Sequence, residues 1–169
     1  MSRRRLLGLS FLAGLLAALG HAPFGLWPVS LAGFALLSGC VGGALPRTQG
    51  YFSQKEGQRA RAAWAAWAGG VGYFALSLSW IVEPFLVDAA RHGWMAPFAL
   101  VLMAGGLALF WALAGWIGSG RVLLWAVALA GAEMLRGHVF TGFPWALPAY
   151  IWVDTPALQK NRRLYPQFR

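Results

Sequence analysis

The chain has 169 residues, 59% of them hydrophobic and only 11% charged, with a mean hydropathy of +0.56, ten Trp and eleven Phe. Ordinary soluble domains carry about 25% charged residues, so this composition falls in the membrane class. The formal net charge of +9 does not point to nucleic acid: the Arg and Lys residues sit in short clusters between apolar runs, with no basic face bearing base-stacking aromatics.

The N-terminus opens with Arg3, Arg4 and Arg5 ahead of the apolar run Leu6–Leu19, with small residues at Gly20 and Ala22. That arrangement is shared with signal peptides and loosely with twin-arginine signals. Pro23 directly after the would-be cut and the membrane-like remainder favour a retained first helix. Leu6 to Leu45 contains no Asp, Glu, Lys or Arg over forty residues. As one helix this stretch would be about 60 Å long, twice the ~30 Å hydrocarbon core, so it must fold back. Pro23, Gly25 and Pro28 supply the break, predicting helix 1 over about 6–21 and helix 2 over about 28–45. The single cysteine, Cys40, lies in helix 2 and excludes an internal disulfide. A nucleophilic thiolate needs a base and an electropositive setting, and neither is near in sequence, so Cys40 reads as a small buried hydrophobe.

Residues 46–61 read as a polar loop with Arg47, Lys55, Arg59 and Arg61 against Glu56. Helix 3 is expected over about 62–82, a loop with Glu83, Asp88, Arg91 and His92 over 83–93, helix 4 over about 94–117, a Gly118-Ser119-Gly120 break, and helix 5 over about 121–136. Gly69, Gly70 and Gly72, and Gly105 and Gly106, fit close packing of helices in lipid. No Lys-Ser/Thr follows the first group, so it is not a phosphate loop. Residues 137–157 read as irregular and aromatic, and 158–169 as a basic tail. The clusters Arg3–Arg5, 46–61 and Arg121 fall on one side of a five-span arrangement, with eight Lys/Arg against Arg91 and Arg136 before the tail. By the positive-inside bias the N-terminus is cytoplasmic, and the 23–28 turn, the 83–93 loop and 137–157 face outward.

Glu133 and Arg136 are spaced i,i+3 and share a helix face. Two readings stand: a snorkelling pair that marks the outer end of helix 5, or an anchor for the loop that follows or for a phospholipid headgroup. Phe140, Phe143, Trp145, Tyr150 and Trp152, beside Pro144 and Pro148, form an aromatic segment that is either an interfacial belt or a groove for an acyl chain. Trp80 and Glu83 lie on the same predicted side, as belt and solvated acid or as further lining of that groove. His21, His92 and His138 lack the i,i+3 or i,i+4 spacing of helical metal ligands, and no metal site is expected. No G-x-S-x-G nucleophile motif occurs.

The run Glu133-Met134-Leu135-Arg136-Gly137, continuing to Thr141-Gly142-Phe143-Pro144-Trp145, closely resembles a signature of the apolipoprotein N-acyltransferase family. Ala22 to Pro28 and Leu78 to Ile81 match weaker family motifs in the right order, and the resemblance covers about 6–159. It implies a membrane bundle in the bacterial inner membrane; with the spans read above, the expected fold is an all-α bundle of about five transmembrane helices with an aromatic outer-face loop. It implies a phospholipid acyl donor, a lipoprotein substrate whose N-terminal cysteine is acylated, and no dissociable cofactor. The family also carries a nitrilase-like domain with a Glu-Lys-Cys triad, whose cysteine forms a thioester. No residue here matches that triad: the only cysteine is Cys40 and the only lysines are Lys55 and Lys160. The match stops near Gln159, and the basic tail beyond opposes the positive-inside bias. The expectation is therefore residues 1–157 as the family's N-terminal membrane domain, 158–169 as an aberrant tail, and an inactive, truncated product. Its rivals are a non-enzymatic membrane subunit or scaffold and a small transporter, the last disfavoured because the spans hold almost no polar residues to line a path.

Overall fold

The computed structural model describes residues 2–42, 51–139 and 145–152, and of 51–55 the backbone alone. The described residues are helical, joined by turns, and contain no strand. Five helices are long: α1 (Arg3–Ala18), α2 (Trp27–Gly42), α3 (Tyr51–Ser77), α6 (Ala96–Gly118) and α7 (Val122–His138). Two single-turn helices, α4 (Glu83–Leu86) and α5 (Ala89–His92), and short 3-10 turns fill the connection from α3 to α6, and a 3-10 turn over Pro148–Trp152 follows α7.

The long helices alternate in direction. Arg3 of α1 lies against Trp64 at the middle of α3, and Arg59 of α3 lies over Trp116 near the end of α6. At the opposite end His21, just after α1, meets Tyr73 near the end of α3. α3 is central, packing most extensively against α6 and α1. The small residues of the sequence explain how closely. A Cβ at Gly14 of α1 would overlap the carbonyl oxygen of Gly69 in α3, and one at Gly72 would overlap the carbonyl of Phe11. Backbones in direct contact maximise dispersion contacts where the hydrophobic effect is absent. Between α3 and α6, Ala66, Ala108 and Trp111 are buried in the main core with Tyr73, Phe74 and Leu37.

Several boundaries differ from the sequence reading. Residues 51–61, expected as loop, belong to α3; Gln, Lys, Glu, Arg and Ala are good helix formers, and no proline interrupts them. Helix 3 ends at Ser77 rather than 82: the chain bends by 61° between Glu56–Ser77 and Ser79–Leu86. Gly137 and His138 continue α7, and Pro148–Trp152 is a 3-10 turn, so 137–157 is not wholly irregular. One stretch, Ala89–Gly118, is long and apolar enough by itself to cross a membrane, with mean hydropathy 2.1; the bent pair in and after α3 qualifies only as a unit. Trp27–Gly42 is apolar but shorter, about 24 Å at 1.5 Å per residue. Phe140, Phe143, Arg47 and the 158–169 tail lie outside the described residues.

A buried charged cluster as candidate functional site

α7 carries Glu133 and Arg136 to the end of the bundle where α3 finishes and α6 begins. Both are buried, Arg136 completely. The i,i+3 spacing brings Arg136 Nη2 to 2.5 Å from Glu133 Oε2, and the other carboxylate oxygen accepts a 2.6 Å bond from the Trp111 indole N–H of α6. Each oxygen of the acid thus has a donor, as a buried charge requires. The guanidinium carbon lies 5.1 Å from the Phe74 ring centroid in α3, a cation–π contact. Trp111 packs on Tyr73 at 5.0 Å, Phe74 at 5.5 Å and Phe34 at 6.0 Å, so an aromatic wall from α2, α3 and α6 encloses the pair.

The pair is not directed to water or to the periphery. Arg136 Nη1 donates to the Trp145 carbonyl at 2.9 Å, with Nη2 at 3.5 Å from the Ala146 carbonyl. The Tyr73 hydroxyl donates to that Ala146 carbonyl at 3.0 Å. Its one proton being spent there, the 2.5 Å contact with His21 Nε2 is a bond donated by the imidazole. Burial of His21 lowers its pKa from the ordinary value. Ala146 has φ +54°, the left-handed region that residues with a Cβ avoid. Such strain persists where the surroundings over-determine it, and here Tyr73 and Arg136 hold the same carbonyl.

Trp80 and Trp145 stack with centroids 4.6 Å apart, both nearly half exposed. Glu83 opens α4 and is exposed, apart from the buried cluster. The structure thus brings Glu133, Arg136, Trp145 and Trp80 to one end of the bundle, with Glu83 peripheral and Phe143 outside the described residues. Tyr73, Trp111, Phe74 and His21 were not singled out from sequence as partners of the pair. The available signal was Tyr73 itself, since a tyrosine inside an apolar helix needs a partner for its hydroxyl. His92 is exposed and His138 Nδ1 donates to the Met134 carbonyl at 2.7 Å, so the three histidines do not converge.

Two apolar grooves flank α7. One, of about 720 Å³, is lined by Leu102, Met103, Leu107, Phe110, Leu113 and Val139, with Arg136. The other, of about 560 Å³, is lined by Leu31, Phe34, Leu129, Leu147, Ile151 and Trp152 among others, with Glu133. Each groove therefore touches one member of the ion pair. Cys40 sits in α2, half buried against the core and far along the helix from this end.

A family model described as the apolipoprotein N-acyltransferase N-terminal domain matches residues 13–161. Proteins named apolipoprotein N-acyltransferase are similar over most of the chain: that of Caulobacter vibrioides is 47% identical over 153 residues, 85% of this chain and 27% of its own length. Those of Brucella melitensis and Sinorhizobium medicae are 37% and 35% identical, over 90% and 89% of this chain and 29% of each relative. The chain thus spans less than a third of these relatives.

Proposed function

We propose that this chain, which belongs to the apolipoprotein N-acyltransferase N-terminal domain family, forms the lipid-embedded part of an enzyme that moves an acyl chain from phospholipid to the N-terminal cysteine of a lipoprotein. In this reading α1, α2, α3, α6 and α7 are five spans in a bacterial inner membrane with the N-terminus in the cytoplasm. The end of the bundle holding Glu133 and Arg136 then faces outward, and the grooves beside α7 receive acyl chain. Their volumes fall in the ordinary range for small-molecule sites, about 300–1,000 Å³. Glu133 and Arg136 act as positioning residues: they fix Trp145 and Ala146, and through them the aromatic rim formed with Trp80. Glu83 remains a solvated acid at that rim, and Phe143 belongs to the same segment.

The observation that carries the membrane reading is the outer surface of the bundle. Leu102 is 74% exposed, Leu123 83% and Val127 69%, and Val101, Leu109, Leu113 and Met134 on the same two helices are exposed as well. A contiguous greasy surface of this kind marks an interaction with lipid or protein. The arginines at the opposite end from the ion pair support the orientation. Single cysteines placed in a Cys40→Ala background test it. Gln54→Cys and Ser119→Cys are expected to resist an impermeant thiol reagent in intact spheroplasts, and Asp88→Cys to react. Labelling of position 54 from outside would reverse the orientation, and labelling of all three would remove the spans.

A further inference from the structure

The end of the bundle away from the ion pair is strongly basic and short of counter-charge. Arg3, Arg4 and Arg5 open α1, Arg59 and Arg61 lie in α3, and Arg121 precedes α7, while Glu56 is the one acid with a described side chain there. The single ion pair among the described residues is Glu133–Arg136, so none of these arginines has a described carboxylate within ion-pair distance. Two of them converge. A cleft of about 250 Å³ between α1 and α3 is lined by Arg3, Arg61, Leu6, Leu7, Ala60 and Trp64. Arg3 lies with its guanidinium carbon 5.1 Å from the Trp64 ring centroid, and Trp64 is 45% exposed. Arg59 makes a second such contact, 4.8 Å over Trp116, on the far side of α3.

These groups have a matching ligand chemistry. Guanidinium forks bind phosphate oxygens bidentately. Stacking on indole orients the Arg3 fork and shortens the list of rotamers it must lose on binding. Indole rings favour the headgroup level of a bilayer, and Leu6 and Leu7 offer an apolar floor below the charges. Phosphate above and hydrocarbon below is the profile of a phospholipid, and the net positive charge selects an anionic one. We infer that the cleft between α1 and α3 formed by Arg3, Arg61 and Trp64 binds the phosphate headgroup of an anionic phospholipid, separately from the grooves beside α7. The site rests on the reading of the chain as a lipid-embedded bundle but on neither its orientation nor its enzymatic role. Plain positive-inside bias would need only charge near the membrane surface. The two readings differ in whether position within the basic end matters.

The full chain, purified in detergent and mixed with equal phosphatidylglycerol and phosphatidylethanolamine, is assayed by native mass spectrometry for retained lipid. Preferential retention of phosphatidylglycerol is expected. Arg3→Ala with Arg61→Ala should reduce it by about tenfold or more, through loss of both the local charge and the phosphate-binding forks. Arg4→Ala with Arg5→Ala removes equal charge from the same end but not from the cleft, and should lower retention by about threefold at most, the share due to charge without the forks. Arg3→Lys with Arg61→Lys keeps charge and folding while removing the planar fork, and should still lower retention about threefold. Equal losses in the Arg3/Arg61 and Arg4/Arg5 pairs would reduce the site to diffuse attraction and overturn it, as would unchanged retention in the lysine variant. Displacement of the lipid by equimolar inorganic phosphate would reassign the ligand to free phosphate. A chain that stays monodisperse without detergent would overturn the membrane reading and this site together, whereas a detergent-requiring chain with no lipid preference overturns the site alone.

Discussion

At the level of single residues the Glu133–Arg136 pair dominates. Removing one member of a buried pair leaves the other charge unpaired, which costs about 3–5 kcal/mol in soluble proteins. Arg136→Ala also releases the carbonyls of Trp145 and Ala146, the latter already in a left-handed conformation. It is expected to lower the thermal midpoint in detergent by many degrees and to open 145–152 to protease. Arg121→Ala should do neither, because Arg121 is exposed at the start of α7. Equal behaviour of the two variants would make the pair dispensable. His21 gives a pH signature. Burial lowers its pKa from 6.5, so the folded chain holds the neutral ring while the unfolded chain protonates at the ordinary value. Between the two values the unfolded state binds more protons, and stability therefore falls as pH drops below about 6.5. His21→Gln keeps a donor for Tyr73 and has no such proton, so the midpoint of the parent should fall further than that of the variant between pH 7.5 and 5.5. A parallel pair of curves would assign the slope to other groups. The i,i+3 pairing was legible because it depends on helix geometry alone. Its partners were not, since Trp111, Tyr73 and His21 lie 22 to more than 100 residues away in the chain and are brought together only by the packing of α3 against α6 and α1.

At the level of elements, the positions of the long helices followed from apolar runs and the Pro/Gly breaks at 23–28 and 118–120. Ends were less legible. The start of α3 is polar yet helical, because charged straight-chain residues cost little in a helix, and the run of hydropathy marks the lipid-facing part rather than the helix. The bend after Ser77 had no proline to announce it before Pro84. The glycines were read as packing contacts, and their pairing is specific. Gly14 faces the Gly69 backbone, whereas at Gly8, earlier in α1, an added methyl group would meet nothing within 4 Å. Gly14→Ala must push α1 and α3 apart and is expected to lose at least about 1–3 kcal/mol, the usual range for overpacking. Gly8→Ala should be neutral or slightly stabilising, through helix propensity. Thermal midpoints of the two variants in the same detergent decide it. A neutral Gly14→Ala would mean that the α1–α3 crossing is looser than the backbone contact indicates.

For the whole molecule, polar chemistry is divided between two ends: arginines without a described carboxylate partner at one, the enclosed Glu133–Arg136 cluster at the other. Among the described residues nothing between them resembles a nucleophile with its base. Acyl transfer through a covalent intermediate needs a thiolate or equivalent beside a proton acceptor and a carbonyl-stabilising group. The one cysteine, Cys40, is in the second half of α2, half buried among core side chains. The cluster at the other end is spent on structure, with both Glu133 oxygens and the Arg136 fork engaged. The relatives named as transferases are more than three times as long as the region matched here. This bundle is therefore expected to supply lipid contact and positioning and not the covalent step. Incubated in detergent with phospholipid and a diacylated lipopeptide, the chain should form neither a thioester on Cys40 nor a triacylated product by mass spectrometry. Added to the remaining C-terminal portion of the Caulobacter vibrioides relative, it should restore turnover, and Arg136→Ala should reduce that turnover while Cys40→Ala leaves it unchanged. Product formation by the chain alone, abolished by Cys40→Ala, would place the nucleophile inside the bundle and overturn this division of labour.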